Sequence, residues 1–148
     1  MPVAAVNATQ PALTGRVVDD ADLLDPADEA WLASRSAALE QATGHQLLVV
    51  TVPSLNGQDI ADYGRVLATR MGVGRRGVDD GVLLIVAPND RSARISVGTG
   101  LEAALTDGEA SEIMQRAMIP AFAAGDYPRG IKAGFAGIIE EIGPETRP

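Results

Sequence analysis

Two segments, His45–Val52 (HQLLVVTV) and Gly81–Ala87 (GVLLIVA), constrain this chain more than any others. Both are runs of aliphatic and β-branched residues with little polar alternation, the pattern of a strand buried on both faces. Such a strand needs one layer above it and another below. Between them lies Asp59–Met71, where Ile60, Tyr63, Leu67 and Met71 form one stripe at helical spacing. Strand, helix, strand predicts a parallel pair joined by a right-handed crossover. The expected class is α/β: a three-layer α/β/α sandwich around a small mixed central sheet.

The remaining elements follow from local signals. Gly15–Asp19 reads as a short strand. Asp25-Pro26 offers an N-cap followed by proline at the first helical position, so a helix is expected from Pro26 to Ala42, with Gly44 at its end. The four-residue turn Pro88–Arg91 is too short for anything but a hairpin, which makes the strand Arg94–Val97 antiparallel to Gly81–Ala87. Thr106 and Glu109 form a capping box ahead of a helix that buries Ala110, Ile113, Met114, Ala117 and Met118. Gly125-Asp126 opens a last helix with Ile131, Phe135, Ile138 and Ile142 inward, and Gly143-Pro144 stops it. Residues 1–14 read as a flexible arm, 15–143 as the domain and 144–148 as a tail.

Composition narrows the function classes. A chain of 148 residues suits one domain. With 3% aromatic residues its core must be aliphatic. The net charge of −8 opposes nucleic acid and anionic lipid, so no nucleic-acid partner is expected. The absence of cysteine excludes disulfides and thiolate metal sites. No apolar run approaches the roughly 20 residues of a membrane helix, so this chain is not expected to insert. Met1–Ala5 lacks a basic region before an apolar stretch, so no secretory signal is visible. Each helical stripe is used up by one sheet face, which predicts a monomer in isolation.

The hairpin makes one statement about chemistry. The start of Gly81–Ala87 must lie beside the end of Arg94–Val97, so Asp79 and Asp80 should meet the segment Gly98–Asp107 at one edge of the sheet. Clustered carboxylates with backbone carbonyls are what hard cations such as calcium or magnesium require. The plainer account makes Asp79-Asp80 a solvated turn and Asp107 a first-turn acid that favours the helix dipole. Arg75 and Arg76 in the glycine-rich loop Gly72–Asp80 have no P-loop ending and read as exposed. His45, the only histidine, reads as a structural residue at the start of a strand. No serine carries a nucleophile-elbow motif, and no catalytic residue is assigned.

An ordered set of blocks resembles the TPM domain family. The blocks are Val17–Ala21 with Leu23-Leu24, Thr43–Gln46 running into Leu48–Val52, Gly72–Gly74 with Asp79–Leu84, Arg94–Glu102, Leu105–Asp107 and Gly125–Tyr127. The family usually has Asp-Asn-Gly where this chain has Asp79-Asp80-Gly81, which adds a charge. The resemblance implies an α/β/α sandwich and an extracytoplasmic setting, periplasmic or membrane-tethered in a full-length protein. It implies a divalent-cation site, with calcium or magnesium at Asp79, Asp80 and Asp107 and with Asp19 joining the same edge. The implied role is an interaction or maintenance module with a membrane-associated protein partner; the alternative is a metal-dependent acid phosphatase.

Overall fold

The computed structural model describes residues 15–143; the arm 1–14 and the tail 144–148 lie outside the described residues. Strand β1 (Val17–Asp19) leads to helix α1 (Pro26–Thr43) and strand β2 (Gln46–Thr51). Helix α2 (Ile60–Met71), strand β3 (Gly81–Ala87) and strand β4 (Ser92–Val97) follow. Helices α3 (Asp107–Ile113), α4 (Ile119–Ala123) and α5 (Tyr127–Ile142) complete the chain. The sheet order is β1-β2-β3-β4, with β1, β2 and β3 parallel and β4 antiparallel to β3. This is the mixed-sheet sandwich that the sequence predicts.

The unbroken apolar run of β3 is explained by its two neighbours. Val82, Leu84 and Val86 face α1 and α5, packing with Leu32, Leu39, Phe135 and Ile138. Leu83, Ile85 and Ala87 face α2, packing with Tyr63 and Leu67. The crossovers β1-α1-β2 and β2-α2-β3 step in the same direction across the sheet, yet their helices lie on opposite faces. Two such crossovers must have opposite hands, so one departs from the usual right-handed rule.

Local chemistry sets the helix ends. Asp25 accepts from the Asp28 N–H at 2.8 Å, and the Asp28 side chain accepts in return from Asp25 N–H. Gly44 closes α1 at φ 84°, a left-handed conformation that glycine adopts freely. Thr106 and Glu109 form the expected reciprocal box. The helix after it runs on to Ala123 but widens: Met114–Met118 is a π turn, and Ile119 N–H donates to the Met114 carbonyl. Pro120 has no N–H to offer the Arg116 carbonyl, and the wider turn accommodates that loss. Among the described residues no helix is long and apolar enough to cross a membrane.

Candidate functional site: an arginine- and carboxylate-lined cleft

The glycine-rich loop between α2 and β3 is pinned by Asp80. Its carboxylate is buried, with 1% exposure. Arg75 donates to it three times, from its backbone N–H at 2.8 Å, from Nε at 2.8 Å and from a terminal nitrogen at 2.6 Å. His45 Nδ1 lies 3.0 Å from the same carboxylate. Burial pushes against the charge on Asp80, but the Arg75 donors and His45 outweigh it and hold the carboxyl well below the usual carboxylate range. The hydrogen bond to Asp80 in turn raises Arg75. The charge that distinguishes this chain from the usual family pattern is therefore consumed internally.

Asp79, one residue earlier, is exposed and sits at φ 53°, a left-handed position that Asp tolerates better than most residues. Its side chain accepts from Thr99 Oγ1 at 3.0 Å, and its carbonyl accepts from Gly100 N–H at 2.9 Å. Gly98 N–H bonds the Gly81 carbonyl at 2.8 Å, so the β3–β4 ladder runs on past the end of β4. A Cβ at Gly100 would collide with the Val78 carbonyl oxygen, and one at Gly98 with that of Asp79. The two segments meet as the hairpin argument predicts, and glycine is what lets them touch.

Beside this junction is an open cleft of about 740 Å³. Asp79, Glu102 and Asp107 line it together with Arg65, Arg76 and Arg94. Asp107 enters because the capping box fixes the first turn of α3 at the rim. Arg65 reaches the cleft from α2 and Arg94 from β4. Neither these two arginines nor Glu102 stands out in the sequence, because an isolated charge on an amphipathic helix or an edge strand carries no pattern of its own.

Two of the expected ligands are not where the metal reading needs them. Asp80 turns inward to Arg75 and His45. Asp19 ends β1, level with Thr51, whereas Asp80 immediately precedes Gly81, which is paired with Gln46. Parallel strands thus put Asp19 at the opposite end of the sheet from Asp79. There its oxygens accept from Leu23 N–H at 2.9 Å, Leu24 N–H at 2.8 Å and Thr51 Oγ1 at 2.6 Å, which ties down the loop after β1. Among the described residues no three His, Asp or Glu side chains form a ready metal-ligand group.

A family model described as the TPM domain matches residues 17–141. The chain belongs to the TPM domain family. Among solved structures, the N-terminal domain of a protein from P. gingivalis is 30% identical, with TM-score 0.78 over 98% of this chain and 94% of that one. The N-terminal domain of cg2496 from Corynebacterium glutamicum is 16% identical, with TM-score 0.68 over 90% and 84%. The BA42 protein of Bizionia argentinensis is 16% identical, with TM-score 0.65 over 84% and 88%. The last two share the fold with this TPM domain. Comparison with curated proteins gives no match.

Proposed function

We propose that this TPM domain is an extracytoplasmic interaction module whose cleft takes a divalent cation, calcium or magnesium, through Asp79 and Asp107. The observation that carries the reading is that Asp79, Glu102 and Asp107, all exposed, line one cleft. Their oxygens suit a hard cation and not a thiolate-seeking one. With so few protein ligands, the remaining coordination sites fall to water or to the oxygens of a bound partner. The membrane-associated setting follows the family resemblance. Titrating calcium into the protein should shift the amides of residues 74–82 and 98–108 together. Asp79→Asn or Asp107→Asn should weaken that response, and Asp19→Asn should leave it unchanged. Loops that stay unmoved at millimolar calcium and magnesium would sink the cation reading.

A second reading, metal-dependent acid phosphatase, draws on a different observation: Arg76 and Arg94 line the same cleft and make no ion pair among the described residues. Both are suited to phosphate oxygens. Metal-stimulated release of phosphate from an aryl phosphate, lost in Asp79→Asn, would support it; release unaffected by that change would exclude the assigned site.

A further inference from the structure

β4 is an edge of the sheet, and its register says which of its backbone groups are open. Gly98 and Gly81 form a hydrogen-bonded pair, so Ser96, Arg94 and Ser92 also turn their N–H and C=O groups to β3. Ala93, Ile95 and Val97 turn theirs away from it. No hydrogen bond from another described element reaches those groups. The cleft runs along this edge, lined by Arg94 and the residues after it up to Thr99. Its other wall is one face of α2, where Ala61, Ala68 and Thr69 are small and leave room beside the strand.

We propose that this groove accepts an extended acidic polypeptide segment of a partner protein as a fifth strand on β4. Main-chain pairing at Ala93, Ile95 and Val97 supplies the register, and the arginines select the sequence. Charge decides between occupants. A second copy paired through β4 would bring Arg94 toward its own equivalent, and like charges facing each other across strands are unfavourable. An acidic strand meets Arg94 and Arg76, neither of which is engaged in an ion pair among the described residues. Arg65, which is paired with Asp62, adds a partly neutralised third cation. The net charge of −8 opposes such a partner only at long range, because salt screens exposed charges over about 8 Å.

This inference deepens the interaction-module reading by naming the partner's chemistry, and its test omits the cation so that the two stand or fall separately. The probe is an acetylated, amidated peptide of alternating valine and glutamate, titrated into the labelled protein with chelator present. Amide exchange at Ala93, Ile95 and Val97 should slow by about tenfold or more on saturation. Arg94→Glu, a change at an exposed residue, should weaken binding by about tenfold; Arg76→Glu provides an independent variant. Three outcomes would overturn the proposal: no protection at those amides, equal protection by the valine–lysine peptide, or equal binding by a glutamate peptide N-methylated at alternate residues. Protection of β4 by self-association without peptide, with a dimer in light scattering, would assign the edge to a second copy instead.

Discussion

Asp80 shows how one residue can be read correctly for its place and wrongly for its job. Its position at the meeting of β3 and β4 follows from the hairpin, but its side chain turns to Arg75 and His45, not to the cleft. A carboxylate whose folded pKa is depressed stabilises the protein above its unfolded value, here near 3.8, and that contribution is lost as pH falls through the folded value. Asp80→Asn restores the usual family residue but removes the charge. It should cost about 2 kcal/mol at neutral pH, the scale of hydrogen bonds to a charged group. The variant and parent should converge in denaturant midpoint as pH drops well below 3.8. Equal stability at neutral pH would mean that Arg75 and His45 do not depend on the charge. Asp28 works in the same direction on a smaller scale, its carboxyl lowered chiefly by the hydrogen bond from Lys132.

Among the elements, the junction of the Asp79 loop with Gly98–Gly100 most directly positions the cleft. Gly100→Ala places a Cβ against the Val78 carbonyl, and overpacking of this kind costs about 2 kcal/mol. It should also displace the Asp79 loop, so the amides of residues 74–82 should shift without ligand and any calcium response should weaken. An unchanged spectrum would show that the contact has slack. This junction was legible in the sequence because a four-residue turn leaves β4 one way to go. Caps at Asp25 and Thr106 were legible because they are local chemistry. The end of the sheet that holds Asp19 was not: once β1 and β3 are both parallel to β2, a strand-length of roughly 20 Å separates that residue from Asp79. The π turn was hidden as well, since Met114, Ala117 and Met118 keep a helical spacing across it.

Across the whole molecule, one ion pair joins the first helix to the last: Lys132 Nζ donates to Asp28 Oδ1 at 2.8 Å. Lys132 is about one-third exposed and Asp28 mostly covered, so the pair sits between a surface bridge and a buried one. Lys132→Met should lower unfolding free energy by about 1 kcal/mol. In a double-mutant cycle with Asp28→Asn, the coupling should shrink as acid protonates Asp28. A coupling independent of pH would assign the effect to packing of the lysine stem.

The opposite hands of the two crossovers carry a consequence for the order in which the chain emerges from a ribosome. The α2 side of the sheet is covered by residues that are all synthesised by Val97. The other side, with Leu47, Val49, Val82, Leu84 and Val86, receives α1 early but waits for Ile131, Phe135 and Ile138 to be covered fully. A nascent chain halted before Tyr127 therefore presents an aliphatic half-face, and chaperone capture should be strongest in that window and disappear once α5 clears the exit tunnel.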